Sequence, residues 1–382
     1  MTRKIWLLTV SAVSLLFCFL TPAIALDTKG IEAARSKKVL DNADLQLIDS
    51  FVAQGAGEIT NATDFSSISN TRSLIIANSA SNEPGQVQFA QQFSDSAKKY
   101  IAADLEKAEG LNPPERRFRV TINLLMLVDG LADPHLAEIP LKYVDYNKPA
   151  VSYWAVHCLT SPEIVTKLNS AKDSEVTRQI SRRLEAIVST ASPQTLGLIA
   201  SFAGKIPDGF DLLLKVADRR IASYADWSVE DELLDASVLQ QLCDKIVSSD
   251  TGKAEAARRF CQLYSYVFQR YLKGDDWLSD TQKTQLISVL VETEKNCLPK
   301  LTGKPSISIK RAIETSDNKA LQQEHNNLLG DATKAGQLLA DLNFDFGKDK
   351  NGGVITHPRQ LSLPPAMLKP SQDVSDSNEA EK

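Results

Sequence analysis

The sequence predicts an all-α protein, built as an irregular stack of antiparallel helical hairpins. Three observations carry this. From Val87 to Leu298, apolar residues recur at three- and four-residue steps, the spacing that gathers them on one side of a helix. A helix-start device, a capping residue followed by proline, occurs at Asp133-Pro134, Ser161-Pro162 and Ser192-Pro193, with starts 28 and 31 residues apart. Period-two alternation, the mark of a half-buried strand, is nearly absent.

The chain has 382 residues, enough for one large or two medium domains. Residues 1–25 read as a secretory signal peptide. Arg3 and Lys4 are the positive leader, Ile5 to Leu20 the apolar core, and Ala23-Ile24-Ala25 the small-residue cleavage site. The apolar run falls short of the roughly 20 residues a membrane span needs. The mature chain is therefore expected to be periplasmic or secreted, with no membrane span after cleavage. Residues 26–86 read as a lead-in with short helices. Leu26–Leu40 is polar and expected to be loosely held. Asn42–Ala53 is a helix with Asn42 as its cap, ended by Gly55 and Gly57, and Asp64–Ala77 reads as a further helix, with a short strand through Ile68, Leu74, Ile75 and Ile76 as the alternative.

Residues 87–342 read as the helical body. Phe89, Phe93, Ala97, Ile101 and Leu105 mark one face of a long helix, which the Asn112-Pro113-Pro114 run stops. Glu115–Leu131 follows, apolar nearly all round at Leu124–Val128 and hence central. Asp133 to Val144 is a helix kinked at Pro140, and Pro149 opens the next, with Val151, Trp154, Ala155, Cys158 and Leu159 on its apolar side. Val176, Ile180, Leu184 and Ile187 make a clean stripe. Leu196 to Ala203, Phe210 to Ala222 and Leu233 to Val247 are amphipathic. Ala254, Ala257, Cys261, Tyr264, Phe268 and Tyr271 form the most regular stripe, and Leu278 to Leu298 follows. Ile307 and Ile309 read as a short extended piece. Asn318–Leu342 is a last helical region broken at Gly330. Hydrophobicity then falls, and residues 343–382, above all Asp345 to Lys382, are expected to form a flexible tail.

The stretch Leu136–Leu159 resembles a HEAT or armadillo-type repeat. Asp145-Tyr146-Asn147-Lys148-Pro149-Ala150-Val151 matches the inter-helix turn and entry, and Val151, Ala155 and Leu159 match the apolar positions of the second helix. The resemblance is clear in one unit, about residues 133–168, and weaker up to Ala203. It implies stacked helix pairs that cover one another's apolar faces, a binding scaffold, and no catalytic residue.

The chemistry read from the residues agrees with a scaffold. Composition is ordinary for a globular protein, 43% hydrophobic and 24% charged, and with a net charge of −5 no stretch basic enough for nucleic-acid binding stands out. No nucleophile elbow, metalloprotease helix or phosphate loop is present. Asp345-Phe346-Gly347 copies a kinase triplet without its catalytic loop. A calcium loop over Asp345–Gly353 fails, because its first and twelfth positions are Gly347 and Pro358. His157 and Cys158 are adjacent, so on a helix they point about 100° apart and form no catalytic pair. Asp226, Glu230, Asp231 and Glu232 read as a solvated loop and helix start. Arg116, Arg117 and Arg119, crowded at one helix start, read as a salt-bridged surface. No cofactor or metal is expected. Of the cysteines that remain after cleavage, Cys243 with Cys261, or Cys261 with Cys297, are the candidate disulfides. The expected partner is another protein, met by a face carrying Tyr146, Tyr153 and Arg182. The alternative is an extracytoplasmic all-α enzyme, a hydrolase or lyase, which requires a cleft where carboxylates or histidines converge.

Overall fold

The computed structural model describes residues 26–79, 84–171, 174–248, 251–274 and 276–364. Among these residues are eighteen α-helices, and the only β pairing is two isolated bridges. The all-α expectation holds. The expected signal peptide, residues 1–25, and the part of the expected tail beyond residue 364 lie outside the described residues. The chain divides into two compact units, one ending at Lys107 and the other starting at Ala108.

The first unit contains α1 (Thr28–Arg35), α2 (Asn42–Asn61), α3 (Phe65–Ala77) and most of α4 (Val87–Glu109). The expected loose lead-in is instead a capped helix. Asp27 accepts from Gly30 N, and α1 buries Ile31 and Ala34 completely. α2 is capped by Asp41 rather than Asn42, through a reciprocal box in which Asp41 and Asp44 each accept from the other's backbone N–H. Nor do Gly55 and Gly57 end it. Gly55 lies where α3 crosses, and a Cβ there would sit 2.6 Å from Ile75 Cδ1. The glycine permits close helix approach at a modest cost in propensity. α4 joins α2 through Phe51–Phe93 and through Ser96 and Tyr100, whose hydroxyls both donate to Asp49.

The second unit runs from α5 (Pro114–Leu131) through α6 (Glu138–Leu141), α7 (Pro149–Thr160), α8 (Pro162–Ala171), α9 (Ser174–Ile187), α10 (Pro193–Lys205), α11 (Phe210–Ala225), α12 (Leu234–Ser248), α13 (Lys253–Lys273), α14 (Asp280–Asn296), α15 (Leu298–Thr302), α16 (Ser308–Glu314) and α17 (Asn318–Leu329) to α18 (Gln337–Leu342). In one row α5 packs on α7, α7 on α10, α10 on α12 and α12 on α14. In a second row α9 meets α11, α11 meets α13, and α13 meets α17. α10 and α12 each touch helices of the second row, so the apolar stripes close on one another.

Local departures from expectation have local causes. The expected helix over Asp133–Val144 breaks into a 3₁₀ turn at Pro134–Leu136 and the four-residue α6, because Pro140, inside the expected helix, lacks an N–H. Ser192 caps α10 as its sequence implies, accepting from Thr195 N at 3.3 Å. Ser161 does not cap by its side chain, since its hydroxyl is buried without a hydrogen bond. Ile307 and Ile309 are not extended. Ile309 lies inside α16, whose first N–H groups are satisfied from a distance: Glu294 of α14 accepts from Ile309 N at 2.9 Å, Lys310 N at 2.8 Å and the Ser306 hydroxyl at 3.1 Å. Gly330 does end α17, with φ 93°, a conformation open to glycine.

The described start of the expected flexible tail is attached to the body, and residues 365–382 lie outside the described residues. Among its described residues, Phe344 is buried and stacks edge-on against Phe346, and Arg258 donates to both the backbone and the side chain of Asp345. Phe346 N donates to Ile355 O and Ile355 N to Gly347 O, closing a small hairpin whose turn is held by Asp349 accepting from Asn351 N and Gly353 N. The Asp349 carboxylate is thus occupied by its own turn. Low hydrophobicity here reflects main-chain attachment to the body, which composition does not register.

Candidate functional site

α13 supplies the site. One side carries Phe260, Tyr264 and Phe268, fully buried and in ring contact at 5.8 and 4.9 Å. Each such side chain contributes about 1.5–3 kcal/mol by burial. On another face Gln262, Gln269 and Lys273 fall seven and four residues apart, the spacing that aligns side chains along a helix. Along this polar stripe lies the extended segment 358–362.

Its hydrogen bonds go to main chain. Gln262 Oε1 accepts from Arg359 N at 2.9 Å while its Nε2 donates to Arg359 O at 3.3 Å. Gln269 Nε2 donates to the same carbonyl at 3.1 Å, and its Oε1 accepts from Leu361 N at 2.6 Å. Lys273 Nζ donates to Leu361 O at 2.5 Å, and Trp227 Nε1 to Ser362 O at 3.2 Å. Six hydrogen bonds therefore read the peptide backbone, in the way a sheet edge would. Pro358 and Leu361 turn inward and are buried, whereas Arg359, Gln360 and Ser362 are exposed. Burial holds the Lys273 ammonium below its ordinary pKa.

Gln269 is itself positioned. Its Nε2 also donates to Ser265 Oγ at 2.9 Å, and Ser265 Oγ is 2.8 Å from His325 Nε2, while His325 Nδ1 is 3.0 Å from Asn326 Oδ1. Burial lowers the pKa of His325, Asn326 and Asp331 raise it, and Lys273 lowers it further; the net shift is downward. A histidine with a depressed folded pKa contributes stability above its ordinary value of about 6.5 and loses it as pH falls toward the folded value. Acidification below about pH 6.5 is therefore expected to lower the melting temperature and loosen the segment. His325→Gln should flatten that acid limb, and an unchanged limb in a thermal-melt series would refute the linkage.

The end of the segment rests on the loop between α11 and α12. Trp227 and Asp231 there adopt left-handed backbone, φ 57° and 53°, which costs non-glycine residues of order 1 kcal/mol each. Two buried ion pairs hold the loop. Arg220 donates to Asp235 Oδ1 at 2.7 Å and Oδ2 at 2.9 Å, and to the carbonyls of Glu230 and Asp231 at 3.0 and 3.1 Å. Tyr224 donates to Asp235 Oδ2 at 2.7 Å. Arg270 donates to Glu232 at 2.9 and 3.2 Å, and its guanidinium lies 5.3 Å over the Trp227 ring. Burial opposes the charge on Arg220, but Asp235 more than offsets it, so the guanidinium pKa is raised. Burial, reinforced by the Asp235 charge, pushes Tyr224 far above the usual phenol range. The acid cluster expected to be solvated is thus split. Asp226 and Glu230 are exposed, whereas Glu232 is 1% and Asp235 0% accessible. The overlooked signal was an arginine on each apolar stripe, Arg220 following Leu213 and Val216, and Arg270 following Leu263 and Val267.

The residues expected to face a partner lie elsewhere. Tyr146 is half-buried, stacks on Tyr143 at 5.7 Å and lines a cleft of about 340 Å³ with Pro149, Ser152, Ser192 and Thr195. Tyr153 is half-buried in α7 against Trp154 and His157, and Arg182 is exposed on α9. It is the neighbouring Arg183 that reaches the Tyr146 turn, donating to Asp145 Oδ1 at 2.8 Å and Leu141 O at 3.3 Å. Arg117 donates to Leu111 O. His157 pairs with Asp129 at 2.8 Å, which raises its pKa, while Cys158 turns away to donate to Leu125 O and burial pushes its thiol up.

No protein-family model matches the chain, and no curated protein aligns with it significantly. Among the described residues, no helix is long and apolar enough to cross a membrane and no histidine, cysteine and carboxylate cluster is placed to hold a metal ion. Cys158, Cys243, Cys261 and Cys297 are all free thiols. Neither expected pairing through Cys261 is joined. Cys261 is sealed inside α13 and burial raises its pKa, whereas Cys243 and Cys297 are neighbours.

Proposed function

We propose that this chain is an exported, non-catalytic helical scaffold, periplasmic or secreted, which binds another protein by taking an extended segment of it along α13. The observation that carries this reading is that residues 359–362 are hydrogen-bonded to α13 and Trp227 through their backbone groups. Side-chain amides that exchange a donor and an acceptor with one residue hold any extended chain whose inward positions fit, and such reading is a general mode of peptide recognition. Residues 358–362 then act as an internal occupant, and a partner supplies a segment with the same inward pattern, a proline and a leucine three positions on. The hairpin at residues 133–168, read as HEAT-like on the residues quoted above, fits a scaffold role. The leader at residues 1–25 supports export, and N-terminal sequencing of the mature chain should begin at Leu26.

The test uses a chain ending at Thr356 and a fluorescent peptide of residues 356–364. The shortened chain, checked for cooperative unfolding, is expected to bind the peptide saturably, and the full chain much more weakly. Gln269→Ala in the shortened chain should weaken binding about tenfold to a hundredfold, since each lost hydrogen bond contributes about 1 kcal/mol. A folded shortened chain that ignores the peptide would remove the support for this function.

A further inference from the structure

Cys243 lies in α12 and Cys297 at the junction of α14 and α15, and both helices of that junction pack on α12. Cys243 Sγ is 3.8 Å from Cys297 O, and Cys297 Sγ is 3.6 Å from Gln240 Oε1. The neighbouring Cys297 holds the Cys243 thiol below its ordinary range, and Cys243 together with burial raises that of Cys297. Cys297 forms part of the wall of a cleft of about 390 Å³, with Leu233, Gln240, Glu292 and Asn296. That volume falls in the range of small-molecule sites.

We propose that Cys243 and Cys297 are a thiol–disulfide exchange site, oxidised to an intramolecular disulfide by a small disulfide that enters this cleft. Cys297 lines the cleft but is only 1% accessible, so on local opening of the wall its sulfur displaces one thiol from the incoming disulfide and forms a mixed disulfide. Cys243, whose sulfur lies 3.8 Å from the Cys297 carbonyl, attacks the Cys297 sulfur and displaces the second thiol. One protein disulfide forms, the reagent's disulfide is reduced, and the two protein thiol protons leave on the two released thiols. Geometry makes the intramolecular step fast relative to a second external attack.

The consequence falls on α13. Cys243 and Cys297 are 54 residues apart, and the whole of α13, with Gln262 and Gln269, lies between them. Oxidation closes that loop covalently, and loops of this size restrict the unfolded chain strongly. The site is independent of the function proposed for the groove.

The test equilibrates the reduced mature chain, residues 26–382, with oxidised glutathione, quenches with a thiol-trapping reagent under denaturing conditions, and maps peptides without reduction. The expected result is one disulfide joining Cys243 to Cys297, with Cys158 and Cys261 trapped as thiols, and a melting temperature raised by about 5–10 °C. Cys297→Ser should abolish both changes and Cys261→Ser should preserve them. Full trapping of all four thiols, a glutathione adduct that never resolves, or a disulfide to Cys261 would each overturn the proposal.

Discussion

Asp235→Ala is expected to destabilise the second unit by about 3–5 kcal/mol, the cost of leaving a buried guanidinium without its counter-charge. Arg220 is 2% and Asp235 0% accessible, so water cannot take the place of the lost carboxylate. The same substitution strips Tyr224 of its acceptor, and burial leaves that hydroxyl no alternative partner close by. The loss should appear as a lower midpoint in urea unfolding followed by far-ultraviolet circular dichroism. A paired change, Arg220→Met with Asp235→Leu, should recover much of the stability, because the ion pair's desolvation cost disappears with it. It should not restore the loop, since Arg220 also holds the carbonyls of Glu230 and Asp231. Trp227 emission offers a separate reading of that loop. A loss below about 1 kcal/mol for the single change would contradict the account of the pair.

Glu294→Ala is expected to cost about 2–4 kcal/mol, for a different reason. Glu294 is buried and its two oxygens satisfy two backbone N–H groups at the start of α16 as well as the Ser306 hydroxyl. The only local help comes from Ser306, whose hydroxyl accepts from Ser308 N at 3.2 Å. Removing the carboxylate therefore leaves Ile309 N and Lys310 N without their acceptor, and it also removes a negative charge from the positive end of the helix. Glu294→Gln keeps one acceptor and replaces the other by a donor facing donors, so its loss should be intermediate. Urea midpoints for the two variants give the ranking, and equal losses would argue against the capping role.

Period and punctuation made most of the helical body legible. Of the stripe from Ala254 to Tyr271, Ala257, Cys261, Tyr264 and Phe268 are buried, while Ala254 is exposed and Tyr271 half-buried at its ends, and Ser192-Pro193 starts a helix with the expected cap. What sequence missed depends on groups distant in the chain. Glu232 looks like a solvated acid until Arg270 is brought to it. Gly55 looks like a helix terminator until α3 crosses it. Residues 345–364 look like a tail because their attachment uses backbone groups, and composition says nothing about whether a backbone amide finds a partner. Tyr146, Tyr153 and Arg182 stand out by residue type, whereas the groove on α13 is lined by two glutamines and a lysine whose significance lies in their alignment.

The docked segment sets an order of events. Trp227 and Ser362 are separated by 135 residues, and segment 358–362 follows in the chain every helix it rests on. Contacts of such long range form late, because the loop they close must be ordered first. During synthesis and folding, α13 is therefore complete while its glutamines still face water. In that interval the groove is open to any extended chain of suitable pattern, including the same segment from a second copy. Reciprocal exchange of that segment between two copies would make every native contact twice over, and high protein concentration during refolding should favour such dimers.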